Sequence, residues 1–168
     1  MPRLLRALTA GASVMAASLL VAAPSASAAP LPGGPYTYAA LHSGKCLDVF
    51  GGSTEDAAKV IQWGCNGGTN QGWYNEKFPD DAIVFINQNS GKCLDILAGS
   101  TANNAPVVQK TCSGGDSQRW YLINHGYGVF SFQNKSTGKC LSVVRASQDD
   151  GAEVVQANCD LANNQRWQ

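Results

Sequence analysis

The sequence predicts an all-β protein, a closed barrel with threefold pseudosymmetry, and three observations carry that expectation. The first is an ungapped triple repeat with a period of 47 residues: SGKCLDVFGGSTEDAAKVIQWGCNGGTNQGW at 43–73 returns at 90–120 and again at 137–167. The second is that each copy holds four short apolar runs separated by Gly, Ser, Thr, Asn and Asp, the pattern of strands and turns. The third is that no window beyond the N-terminal segment keeps a helical period. A fixed internal period decides architecture before any local reading does. Three units are too few for a long solenoid, and propellers use four or more blades. Closing the sheet on itself removes most exposed edges.

Taken in order, the chain opens with Arg3 and Arg6, continues as a run of small apolar residues from Leu8 to Ala23, and reaches Ala26-Ser27-Ala28. Residues 1–28 therefore read as a secretory signal peptide, and the protein as secreted. Gly11, Ser13 and Ser18 interrupt a run that is already short for a membrane span. Residues 29–35, APLPGGP, read as a linker, and 36–168 as one domain with repeats at about 36–80, 81–127 and 128–168. Each repeat begins with an alternating strand (Tyr36/Tyr38, Ile83/Phe85, Phe130/Phe132) and a polar turn. A second strand carries Leu47/Val49, Leu94/Ile96 or Leu141/Val143, and a third carries Val60-Ile61-Gln62, Val107-Val108-Gln109 or Val154-Val155-Gln156. The fourth is Gln-x-Trp, which makes twelve strands, with the last one completed beside the first so that the termini meet.

Charge narrows the partners. The whole chain balances 12 basic against 12 acidic residues, and removing Arg3 and Arg6 leaves a net charge near −2. No basic field exists for phosphates, so neither nucleic acid nor anionic lipid is an expected partner. The expected state is a monomer without membrane insertion. The six cysteines all lie in the repeats, two per copy, which in an exported chain reads as a disulfide framework. Six cysteines allow fifteen pairings; the repeat favours Cys46–Cys65, Cys93–Cys112 and Cys140–Cys159. Each such loop contributes roughly 3 kcal/mol by restricting the unfolded chain. A metal site is a poor alternative, because there is no Cys-x-x-Cys pair and His42 and His125 fall outside the repeated motif. No cofactor is expected.

The order Cys-Leu-Asp, an aromatic two residues before the second Cys, then Asn-Gln-x-Trp resembles the ricin B-type lectin family, over Tyr36 to Gln168. The resemblance implies a β-trefoil that binds sugar, with up to one shallow site per repeat and no catalysis of its own. In such lectins the Asp accepts hydrogen bonds from neighbouring hydroxyls, the aromatic stacks on the pyranose ring, and the Asn adds a polar contact while the Gln holds the Asp. A flat ring and a charged acceptor together match a sugar's C–H face and hydroxyl edge. The residues carried over are Asp48, Trp63, Asn70 and Gln71. The compatible ligands are galactose-type sugars and xylan-like or arabinan-like polysaccharides. Many members place Gln four residues before the second Cys, where this chain has Ile61 followed by Gln62.

The three copies act as an internal control. Trp73, Trp120 and Trp167 are identical in all of them and read as core scaffold; Gln71, Gln118 and Gln165, also invariant, read as backbone-bonding scaffold more than as sugar contacts. The lysines Lys45, Lys92 and Lys139 sit in polar turns and read as solvated. The site positions vary: Asp48 becomes Asp95 and Ser142, Trp63 becomes Lys110 and Ala157, and Asn70 becomes Ser117 and Asn164. Only the first repeat has the whole set, and Asp95 with Gln118 marks a degenerate second site. Rival readings are a trefoil-type protease inhibitor and a lectin fold that has lost sugar binding. An enzyme is not expected: the acidic pairs Asp80-Asp81 and Asp149-Asp150 are sequence neighbours, unlike the facing carboxylates of a glycosidase. Asn134-Lys135-Ser136 fits a glycosylation sequon.

Overall fold

The computed structural model describes residues 34–168, so the segment read as a signal peptide lies outside the described residues, as does most of the linker. Among the described residues ten strands form: β1 (Cys46–Val49), β2 (Val60–Trp63), β3 (Trp73–Lys77), β4 (Ile83–Asn87), β5 (Cys93–Ile96), β6 (Ala105–Lys110), β7 (Trp120–Asn124), β8 (Phe130–Asn134), β9 (Cys140–Val143) and β10 (Val154–Ala157). The two remaining expected strands, the opening of the first repeat and the end of the third, are present as isolated bridges. Tyr36 pairs with Trp73, Ala40 with Trp167, and Phe130 with Trp167. At the first of them Pro35 offers no N–H before Tyr36 to extend the pairing. These bridges, with β3–β4, Ile83↔Trp120 and β7–β8, close the barrel. The seam is the meeting of the ends: Ala39 and Gln168 exchange both backbone hydrogen bonds at 2.9 Å.

The Gln-x-Trp motif straddles an element boundary. Gln71 and Gln118 end short 3-10 turns, and the strand starts only at Trp73 or Trp120. Each tryptophan is fully buried. Its Nε1 donates back to the carbonyl of Leu47 (3.0 Å), Leu94 (3.4 Å) or Leu141 (3.3 Å), tying the last strand of each repeat to its second. At the pseudo-threefold axis the equivalent rings of Tyr38, Phe85 and Phe132 meet edge to face, with centroids 4.8–5.3 Å apart. Such tilted pairs suit the ring quadrupoles.

The second and third strands of each repeat form hairpins in one register, with Cys46↔Trp63, Cys93↔Lys110 and Cys140↔Ala157 opposite each other. The disulfides join Cys46–Cys65, Cys93–Cys112 and Cys140–Cys159, with Cα separations of 5.0–5.1 Å. Neighbouring hairpins are clamped by a buried glutamine. Gln62 Nε2 donates to the carbonyls of Ser147 and Asp149, Gln109 to those of Ser53 and Glu55, and Gln156 to those of Ser100 and Ala102. The turn lysines are not merely solvated. Lys45 pairs with Asp150 and Lys92 with Asp56, each at 2.6 Å and each across a repeat boundary, while Lys139 donates to Asn158 at 3.0 Å. Asn134 of the sequon is fully buried and donates to the Ser117 carbonyl at 2.8 Å, so its amide is not presented as an acceptor for a glycan.

Candidate carbohydrate site

β1 and β2 bring the first repeat's set together. Asp48 lies opposite Ile61 in the ladder, two pairs in from Trp63 at the end of β2. The 3-10 turn Thr69–Gln71 then folds over β1 and delivers two side-chain amides to the carboxylate. Asn70 Nδ2 donates to Asp48 Oδ1 at 2.9 Å, and Gln71 Nε2 donates to Oδ2 at 2.8 Å. A carboxylate has about four acceptor positions, so each oxygen keeps one for a ligand hydroxyl. Gln71 has no donor left for a sugar: Nε2 also donates to the Gly64 carbonyl, and Oε1 accepts the Asn66 N–H. It is buried and positions Asp48. Asn70 commits its Nδ2 to Asp48 and to the Val49 carbonyl, which leaves its Oδ1 as the group it can offer.

A cavity of about 390 Å³ opens above this carboxylate, lined by Asp48, Phe50, Gly51, Gly52, Ile61, Trp63, Asn66 and Asn70. Trp63 is 41% exposed, whereas the other three tryptophans are fully buried. Burial raises the Asp48 carboxyl above its ordinary range, and the hydrogen bonds from Gln71 and Asn70 pull it back in part. Phe50, Asn66 and the two glycines were not among the residues read from the motif. The signal for Phe50 was available, since its position varies to Leu97 and Val144 between copies. Gln62 does not reach the site, being consumed in the clamp between repeats, and Ile61 supplies an apolar patch of wall instead.

The other two repeats keep fragments. In the second, Gln118 Nε2 donates to Asp95 Oδ2 at 2.9 Å, but Ser117 supplies no amide and Asp95 Oδ1 is buried with no partner among the described residues. Lys110 is exposed at the Trp63 position. In the third, Asn164 Nδ2 donates to the Ser142 hydroxyl at 3.0 Å, so the amide geometry survives around a neutral acceptor with Ala157 beside it. The histidines are far from any constellation: His42 Nε2 meets the Ser147 carbonyl, and His125 Nε2 meets the Ser131 hydroxyl.

The comparisons with known proteins bear on the fold and the family. Residues 36–167 match the model of the ricin-type β-trefoil lectin domain. Among solved structures, the designed threefold-symmetric protein ThreeFoil is 41% identical with a TM-score of 0.78, the alignment covering 79% of this chain and 95% of that one. An exo-β-1,3-galactanase from Clostridium thermocellum is 31% identical with a TM-score of 0.79, over 82% of this chain but only 30% of the galactanase. The C-terminal half of the earthworm R-type lectin, solved with GalNAc, shares the fold at 17% identity and a TM-score of 0.60, over 79% of this chain and 94% of that one. No curated protein sequence matches. With three lectin repeats in register and a family match over the whole described barrel, the chain belongs to the ricin-type β-trefoil lectin family.

Proposed function

We propose that the protein is a secreted lectin that binds carbohydrate through its first repeat and catalyses nothing. The observation that carries this reading is the coincidence, in one repeat only, of a doubly anchored carboxylate, an exposed indole and an uncommitted amide oxygen around one cavity. Likeness to part of a galactanase makes galactose-containing glycans the first candidates, with xylan-like and arabinan-like chains next. A single shallow site holds a sugar with a dissociation constant on the order of 0.1–1 mM, about 4–5.5 kcal/mol. One site also forgoes the gain that multivalent lectins draw from linked binding.

A glycan array supplemented with soluble polysaccharides, read at neutral and at acid pH, tests the reading. Binding to one family of neutral glycans is expected at neutral pH, without cross-linking of glycan-bearing cells. On acidification, binding should fade as Asp48 protonates, beginning above the ordinary aspartate range because its carboxyl is shifted upwards. The sign for stability is opposite: a raised carboxyl binds its proton more readily in the folded state, so protonating Asp48 does not itself destabilise the fold. Loss of binding with near-UV circular dichroism preserved is the expected pattern. Absence of binding to every glycan, or binding indifferent to pH, contradicts the proposal.

A further inference from the structure

The first-repeat cavity extends beyond the residues the proposed site uses. Its remaining wall is Phe50 followed by the bare backbone of Gly51 and Gly52. Phe50 is 58% exposed, more than Trp63, and the fold does not require a ring there, because Leu97 and Val144 serve at the equivalent positions. Nor does the backbone require glycine at the next position. Gly51 has φ 63°, but Ala98 and Arg145 hold the equivalent left-handed conformation with φ 54° and 51°. A Cβ placed on Gly51 or Gly52 meets nothing within 4 Å, so the missing side chains leave open space beside Phe50. In the third repeat that pair is Arg145-Ala146. Three successive positions of the first repeat thus combine a solvent-facing ring with an uncovered backbone, on the same cavity as Trp63 and Asp48.

We infer that the first repeat holds two adjacent sugar subsites, one on Trp63 and Asp48 and a second on Phe50 and the Gly51-Gly52 backbone, so that its ligand is a chain of at least two sugar units. The inference rests on the sugar-binding reading above. A volume of about 390 Å³ falls among pockets of roughly 300–1,000 Å³ that enclose drug-sized molecules, the size class of a disaccharide. Aromatic rings at the two walls each face a C–H surface, while Asp48 and Asn70 meet the hydroxyls between them.

The test compares monosaccharide with disaccharide in calorimetric or NMR titrations: galactose with β-1,3-galactobiose, xylose with xylobiose, and arabinose with arabinobiose. For the sugar that binds, the wild-type protein should hold the disaccharide about tenfold more tightly, equivalent to about 1.4 kcal/mol. Phe50→Leu, which installs the residue of the second repeat, should bring that ratio to about one by weakening the disaccharide about tenfold. Gly51→Arg, the third-repeat residue, should do the same by filling the second subsite. A wild-type ratio near one, or a tenfold ratio that survives both substitutions, overturns the second subsite and leaves the sugar-binding reading standing. Failure of the wild-type protein to bind either partner of every pair overturns both.

Discussion

Trp63→Ala should abolish glycan binding and change folding stability by no more than about 0.5 kcal/mol. The indole is 41% exposed, ends a strand, and lines the cavity without joining the buried core. Its symmetry mates show that the fold accepts other side chains there, since Lys110 and Ala157 sit opposite the equivalent cysteines in the same ladder register. The indole and Phe50 are the two rings that line the cavity with Asp48, and truncation removes the larger stacking surface. Without it, two hydroxyl contacts on Asp48 compete poorly with water. Array binding and thermal unfolding, measured on the same preparation, check both halves of the prediction. An unfolded Trp63→Ala variant would show that the residue belongs to the scaffold.

Trp73→Ala should have the reverse effect and the largest cost to stability of any change considered. Truncating a fully buried tryptophan costs roughly 3–5 kcal/mol through lost burial and the cavity left behind. The side chain is fully buried, and its Nε1 bond to the Leu47 carbonyl links β3 to β1. Its removal also strips that carbonyl of the indole donor. Against the typical total of about 5–15 kcal/mol for a domain, this is a substantial share. Urea unfolding should show a much lower midpoint, while the fraction still folded retains sugar binding. A midpoint equal to that of the wild type would place Trp73 outside the core.

Much of this architecture is legible in the sequence because it is repeated. Trp73, Trp120 and Trp167 are invariant between copies and buried; the cysteine spacing is constant and each disulfide stays within its repeat. The proposed site is legible for the opposite reason, because Asp48, Trp63 and Asn70 sit at positions where the copies diverge. What the sequence hides is contact between repeats. Nothing in a linear reading tells that Lys45 meets Asp150, 105 residues away, or that Gln62 spends its amide on the third repeat's loop. The role of Gln71 is likewise a matter of counting hydrogen bonds: only with its partners in place is it evident that it holds Asp48 and has no donor left for a ligand. Phe50 escaped because the motif draws the eye to the Asp two residues earlier, although the same comparison of copies singles it out.

The central claim is that one repeat of three carries the site, and the four tryptophan indoles offer a direct measurement. Trp73, Trp120 and Trp167 each commit Nε1 to a leucine carbonyl in the core, whereas Trp63 is exposed beside Asp48. In a titration of ¹⁵N-labelled protein with the sugar selected on the array, the Trp63 indole signal and the Asn70 side-chain amide should shift and saturate together. The backbone amides of Asp95 and Ser142 should stay in place. Shifts at Asp95 or Ser142 that saturate at the same sugar concentration, or a stationary Trp63 indole, would contradict a single first-repeat site.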